Sequence, residues 1–313
     1  MQIAIIGSGL VGSTTAYSLA NEGIAEKIIL IDTNNKRAIA EALDISHSTP
    51  FSYGTKIIAG QYNDLINTDI IFITAGANQK PGETRLDLLD KNIKIFQDII
   101  PNIKKYAPNS MLVIATNPVD IMTEIALKIS NFPKNRVFGT GTVLDSARFR
   151  SALGYHLGIS PKSIHANVIG EHGDSEVLLW SGAVAGTSCV ERIAKEIGVS
   201  LNKDVKLKID NEVRNSAYEI INGKGSTYYG IASATQYILR SIIKDSHTIL
   251  TITSHHDSGI ANFDNICYAM PSIIGKNGIE KVLTPTICTE ETQELINSAQ
   301  TLYEYTQKAL YMI

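Results

Sequence analysis

A short apolar run, Gln2-Ile3-Ala4-Ile5-Ile6, meets Gly7-Ser8-Gly9-Leu10-Val11-Gly12, and this junction restricts the possible folds more than any other stretch. The run reads as a buried strand closed by glycine. A helical pattern follows to about Asn21 and stops at Gly23, and a second apolar run from Lys27 to Ile31 ends in Asp32. In such a strand–turn–helix–strand unit, glycines allow a tight turn, close approach of a pyrophosphate and close helix–strand packing. The N–H groups that open the helix, with the positive end of its dipole, suit phosphate. An acid at Asp32 can accept both hydroxyls of an adenosine ribose and would repel a 2′-phosphate. The unit predicts a dinucleotide site that prefers NAD to NADP, built on Gly7, Gly9, Leu10, Val11, Gly12 and Asp32.

The α/β alternation continues. Residues 69–74 read as a third strand running into Ala75-Gly76-Ala77, and 110–115 as a fourth running into Thr116-Asn117-Pro118. Between them, Ile93, Phe96, Ile99, Ile100 and Ile103 fall at helical spacing within 87–106. Residues 137–140 form a last short strand. The expected fold class is therefore α/β, a Rossmann-type doubly wound parallel sheet, which binds ligands beyond the C-terminal ends of its strands. Gly7, Asp32, Gly76 and Asn117 all sit at such ends.

Past residue 142 the texture becomes mixed α+β. Helices are expected from about 144, over 205–221 and 227–244, and over 290–310. Strands are expected over 164–169, 177–180, 249–253 and 266–270. We divide the chain into an NAD-binding domain, 1–141, and an α+β substrate domain, 142–313, that caps it. With 313 residues, 44% hydrophobic and 19% charged, the chain can build both cores. A net charge of −3 with scattered Lys and Arg offers no nucleic-acid patch or polybasic membrane face. Cys189, Cys267 and Cys288 are widely spaced and read as reduced thiols, and no apolar run reaches membrane-span length, so a cytoplasmic location is expected.

The candidate chemistry centres on Ile169-Gly170-Glu171-His172-Gly173-Asp174. A strand ends at Gly170, which puts His172 on a tight loop with small neighbours, and imidazole titrates near neutral pH. Asp145 and Arg148 stand three apart on one helix and share a face. The acid can fix the tautomer of His172 and raise its pKa, while the guanidinium can grip a carboxylate through two parallel hydrogen bonds. An ordinary intrahelical ion pair is the plainer alternative. The polar stretch Gln79-Lys80-Pro81-Gly82-Glu83-Thr84-Arg85 suits a lid that carries Arg85 over a substrate, or a solvated surface loop. His255-His256-Asp257 could suggest a metal, but adjacent strand residues point oppositely, and the expected reading is surface polarity with no metal site.

Together the glycine turn with Asp32, Gln79-Lys-Pro-Gly-Glu-Thr-Arg-Leu-Asp-Leu-Leu, Thr116-Asn-Pro-Val-Asp, Gly141-Thr-Val-Leu-Asp-Ser-Ala-Arg-Phe-Arg and Gly170-Glu-His-Gly-Asp resemble the bacterial L-lactate dehydrogenases of the lactate/malate dehydrogenase superfamily. The resemblance runs from end to end of the chain. It implies that His172 donates and accepts the proton with Asp145 as its partner, and that Arg85 polarises the substrate carbonyl. Arg148 would bind the substrate carboxylate, with Asn117, Gln79 and Thr227 in the substrate pocket. Gly76, Ala77, Asn117 and Ile231 would join the glycine turn around NAD. Pyruvate and L-lactate would be the substrates, in glycolysis and fermentation.

Within the superfamily, Gln79 separates the alternatives. A malate enzyme usually has arginine there to neutralise a second carboxylate; glutamine beside Glu83 and Asp87 leaves that carboxylate unpaired at a cost of several kcal/mol. A dehydrogenase of bulkier 2-oxo acids, such as an L-2-hydroxyisocaproate type, and a non-catalytic NAD-binding protein remain further alternatives. Arg150 and His165 match positions at which allosteric bacterial members bind fructose 1,6-bisphosphate across a subunit interface, which implies a homotetramer activated by that sugar.

Overall fold

Alternate residues of the first strand feed two different cores. The computed structural model describes residues 1–77 and 85–313, with residues 85 and 261 by backbone alone. The elements run β1 (Gln2–Ile6), α1 (Leu10–Glu22), β2 (Lys27–Ile31), α2 (Asn35–Ser48), β3 (Lys56–Ala59), β4 (Ile70–Ile73), α3 (Arg85–Tyr106), β5 (Met111–Ile114), α4 (Val119–Ser130) and β6 (Val137–Gly139). They continue with α5 (Val143–Leu157), β7 (Ile164–His165), β8 (Val168–Ile169), β9 (Val177–Leu178), β10 (Val184–Ala185), β11 (Ser188–Cys189), α6 (Val190–Glu196) and α7 (Lys203–Lys224). The last are α8 (Tyr229–Ile243), β12 (Thr248–His256), β13 (Ile266–Gly275), β14 (Gly278–Val282) and α9 (Thr289–Leu310).

In β1, Ala4 and Ile6 pack with Ile29, Ile71 and Leu112 under α3, α4 and α9. Ile3 and Ile5 face the other way, with Ile28, Phe72 and Val113, under α1, α2 and α8. A strand covered on both faces must be apolar at every position, which is why these segments read as unbroken runs. Each fully buried aliphatic side chain contributes roughly 1.5–3 kcal/mol. A third core, under α5, α6 and α7, gathers Phe149, Leu153, Val168 and Val213.

Among the described residues, one nine-stranded sheet has the order β14-β13-β12-β6-β5-β4-β1-β2-β3. The six strands from β6 to β3 pair in parallel, and the order reverses between β4 and β1. Gly7 after β1 and Ala75-Gly76 after β4 flank this reversal, where a crevice opens between oppositely wound halves. The expected fold class is the one observed.

Two expectations differ in detail. Residues 164–169 do not form one strand: β7 pairs with β10 through His165 and Val184, and β8 pairs with β9 through Val168 and Leu178. The change of partner breaks the run. Two of the strands expected in the second unit, observed as β12 and β13, also join the nine-stranded sheet, with β12 antiparallel to β6 where Thr253 lies opposite Gly139. The middle of β12 is buried from Leu250 to Ser254, as an interior strand requires. No helix among the described residues is long and apolar enough to cross a membrane.

Candidate active site

The glycine turn is closed by its own backbone. Gly7 has φ +102°, and a Cβ on Gly12 would lie 1.9 Å from the Gly7 carbonyl oxygen, so the α1 helix can sit this close to β1 only without a side chain there. Gly9 caps α1 with no side-chain hydrogen bond to the first turn, and a Cβ on it would meet nothing within 4 Å. The opening N–H groups of the helix therefore face open space, as an incoming phosphate requires. Asp32 is fixed from both sides, Oδ2 accepting from the Ser8 N–H at 2.7 Å and Oδ1 from the Asn34 N–H at 2.8 Å. Gly7, Gly9, Leu10, Val11, Asp32, Gly76 and Thr227 line a cavity of about 1220 Å³. Ser8 Oγ is buried with no hydrogen-bond partner among the described residues. A bare helix start, a fixed ribose acceptor and a cavity of this size fit a dinucleotide.

One side chain holds the ends of β4 and β5 in register. Asn92, 1% exposed on α3, accepts from the Ala77 N–H through Oδ1 at 2.8 Å and donates through Nδ2 to the Asn117 carbonyl at 2.7 Å. Thr116 Oγ1 donates to the Ala75 carbonyl at 2.8 Å and Thr74 Oγ1 to the Gly7 carbonyl at 2.8 Å. The three loops at the sheet's carboxyl end are thus tied together.

His172, Asp145 and Arg148 are brought into contact. Asp145 Oδ2 lies 2.6 Å from His172 Nδ1, and its Oδ1 accepts from Arg148 Nη1 at 2.7 Å. The Asp145 side chain is 3% exposed, that of His172 28% and that of Arg148 15%, so the acid lies at the back and the two cationic groups reach forward. Burial works against the Asp145 charge, but His172 and then Arg148 outweigh it and hold the carboxyl below its usual range. Burial likewise opposes a charged His172; Asp145, by charge and hydrogen bond, with Asp120 and Glu176 behind it, reverses this and raises the ring to about 9. With Nδ1–H committed to Asp145, Nε2 is the nitrogen able to exchange a proton with a ligand.

Residues 1–139 match the lactate/malate dehydrogenase NAD binding domain, and residues 142–312 match the lactate/malate dehydrogenase alpha/beta C-terminal domain. The chain belongs to the lactate/malate dehydrogenase family. The dehydrogenase is 45% identical over 302 residues to the L-lactate dehydrogenase of Thermus aquaticus, covering 96% of this chain and 97% of the relative. It is 44% identical over 301 residues to the L-lactate dehydrogenase of Clostridium perfringens, covering 96% and 95%. Among solved structures it superposes with a TM-score of 0.93 on the ligand-bound minor L-lactate dehydrogenase of Enterococcus mundtii, at 33% identity over 98% of each chain. A lactate dehydrogenase from a Medee basin deep-sea metagenome gives a TM-score of 0.94 at 33% identity, covering 99% of this chain and 98% of that one. The dehydrogenase is an NAD-dependent oxidoreductase.

The loop that carries His172 is braced by residues to which the sequence reading gave no role. Asp120 on α4 accepts the His172 backbone N–H at 2.8 Å through Oδ2 and the Thr253 hydroxyl through Oδ1. Burial, partly offset by these bonds and by His172, raises the Asp120 carboxyl to about 6. Ser298 on α9 accepts the Glu171 N–H at 2.8 Å. Glu291, also on α9, accepts the Ser181 N–H at 2.8 Å, so the C-terminal helix grips both ends of the stretch. For Asn92 and Asp120 the available signal was a polar residue inside an otherwise buried apolar helix face.

Gln79 and the rest of the lid lie outside the described residues, as does the Arg85 side chain. Thr227 borders the cofactor cavity and Ile231 is half-buried on α8. Arg150 is half-buried on α5, its Nε donating to the Ser146 carbonyl at 3.1 Å, and His165 is exposed on β7. One expectation is corrected. His255 and His256 do have different surroundings, but the pair is not surface polarity: the His255 side chain is 2% exposed, with Nδ1 2.6 Å from Glu124 Oε2. The same oxygen accepts from Cys267 Sγ at 3.1 Å. His256 stacks on Tyr268 at 3.8 Å. The strand end is covered because β12 lies inside the sheet against α4.

Proposed function

We propose that the dehydrogenase is an L-lactate dehydrogenase that interconverts pyruvate and L-lactate. The observation that carries the reading is Asp145 shared between His172 and Arg148, which sets a proton carrier beside a carboxylate-binding guanidinium. Relatives that match nearly the whole chain and carry the name L-lactate dehydrogenase add support. When bound, the nicotinamide supplies or accepts the hydride. The remaining work belongs to this chain. Arg148 orients the 2-oxo acid by its carboxylate, and Asn117 and Thr227 are assigned to hold the substrate beside it. Imidazolium His172 gives up its Nε2 proton to the carbonyl oxygen in reduction, and the neutral ring takes it back in oxidation. Asp145 holds the tautomer and stabilises the imidazolium without itself accepting the proton. Arg85 polarises the carbonyl from the lid, and the neutral Gln79 favours pyruvate over a dicarboxylate. The division at residues 141 and 142 follows the roles of cofactor domain and substrate domain. The stereochemistry is tested by NAD reduction with the separate lactate enantiomers: L-lactate alone should turn over, and equal rates with D-lactate would contradict the reading.

The finer assignments are proposed on the same footing. A cytoplasmic enzyme suits three cysteines without disulfides. Exposed apolar side chains on α2 and the segment after it, including Ile39, Leu43 and Phe51, support burial against other subunits of a homotetramer. Arg150 and His165 would receive fructose 1,6-bisphosphate as activator. Activation should vanish in Arg150→Gln or His165→Ala, and a wild type indifferent to the sugar would remove the assignment.

A further inference from the structure

Glu176 closes the loop that carries His172 and is 4% exposed. Its backbone N–H donates to the Gly173 carbonyl at 3.1 Å, which turns the segment inward. Its Oε1 has no hydrogen-bond partner among the described residues. A buried carboxylate that receives no donor in place of water is costly, whereas a neutral acid is much less so. The charged groups that act on it are Asp145 and Arg148 from α5, His172 from its own loop and Arg214 from α7. Arg214 is partly engaged elsewhere, donating to the Asp174 carbonyl at 2.9 Å. Asp145 is the ionised member of the group, so a second anion beside it is repelled. Burial and then Asp145 push the Glu176 carboxyl up to about 8, against the pull of His172, Arg214 and Arg148.

We propose that Glu176 is a positioning acid: its buried carboxyl, unpaired at Oε1 among the described residues and set on the loop that carries His172, holds the proton on His172 once it ionises. The proposal rests on the reading of His172 as the proton carrier. The only bond broken is the carboxyl O–H, and its proton passes to solvent. The new negative charge stabilises the imidazolium, so the ring keeps its own proton to higher pH than Asp145 and Asp120 would secure without it. Because reduction needs imidazolium and oxidation needs the neutral ring, Glu176 sets where in pH the enzyme changes preference. The two groups then titrate as a coupled pair.

Glu176→Gln preserves shape and removes the charge. We would record kcat/KM for pyruvate reduction and for L-lactate oxidation across the neutral and alkaline range, and titrate the His172 ring by NMR. The position of the limb, not the height of the plateau, is the readout. The alkaline limb of reduction, the onset of oxidation and the ring titration should all move down by about one pH unit in the variant. Profiles and ring titrations that superimpose on the wild type would overturn the proposal. Glu176→Ser is the second variant should Gln fail to fold, with the same direction expected. In wild type labelled with 13C at glutamate carboxyls, one resonance should titrate near pH 8, and its absence would also count against the idea. If neither pyruvate nor lactate is turned over, the substrate reading falls, while the two NMR titrations still decide the role of Glu176.

Discussion

Asp145 divides its two oxygens between His172 Nδ1, at 2.6 Å, and Arg148 Nη1, at 2.7 Å. Under the proposed function, one buried carboxylate therefore fixes both the group that would move a proton and the group that would hold the substrate. Any change at Asp145 should be felt in binding and in proton transfer together.

Asp145→Asn keeps the shape but loses the charge that supports imidazolium. The kcat for pyruvate reduction should fall about 10²- to 10⁴-fold, and the alkaline limb set by His172, near 9 in the wild type, should move toward neutral pH. A pH–rate profile checks both; an unmoved limb would disconnect Asp145 from the titration of the ring.

Gly9 and Gly12 should separate binding from folding. A Cβ on Gly12 would lie 1.9 Å from the Gly7 carbonyl oxygen, whereas one on Gly9 would meet nothing within 4 Å. Overpacking of this kind costs about 1–3 kcal/mol, so Gly12→Ala should lower the melting temperature as well as NADH affinity. Gly9→Ala should leave melting unchanged and weaken NADH, because its methyl enters space left for the pyrophosphate. Melting curves and NADH fluorescence titrations of both variants make the comparison.

Stability should decline from neutral into alkaline solution. His172 is raised from 6.5 to about 9, so its contribution is complete below 6.5 and lost as pH climbs through 9. Glu176, raised from 4.5 to about 8, and Asp120, raised from 3.8 to about 6, bind their protons more tightly when folded, and stability declines through each window as pH rises. Asp145 is lowered and acts oppositely, its contribution present above 3.8 and lost as pH falls. Thermal melting across the pH range should therefore peak in mildly acidic solution. A melting temperature that rises steadily to pH 9 would contradict the assigned shifts.

The parts of this architecture set by local sequence were legible in advance. Gly7 to Asp32 specifies a turn, a helix start and an acceptor through backbone rules alone, and the two-sided burial of β1, β4 and β5 appears directly as apolar runs. The roles of Asn92, Asp120 and Glu176 were not legible, since each acts through partners 15 to 133 positions away or through burial that only the assembled fold creates. His255 was misread for the same reason: its strand end becomes interior only once β12 has paired with β6. Arg148 shows the intermediate case, where helix spacing correctly paired it with Asp145 but His172, far along the chain, completed the group.

The central claim is that this site reduces a monocarboxylic 2-oxo acid, and the most direct measurement is NADH oxidation with pyruvate and with oxaloacetate under the same conditions. If Gln79 faces the substrate as proposed, an unpaired second carboxylate should cost several kcal/mol. The account predicts that kcat/KM for pyruvate exceeds that for oxaloacetate roughly a hundredfold or more. A preference for oxaloacetate would contradict it, and would mean that another cation receives the second carboxylate.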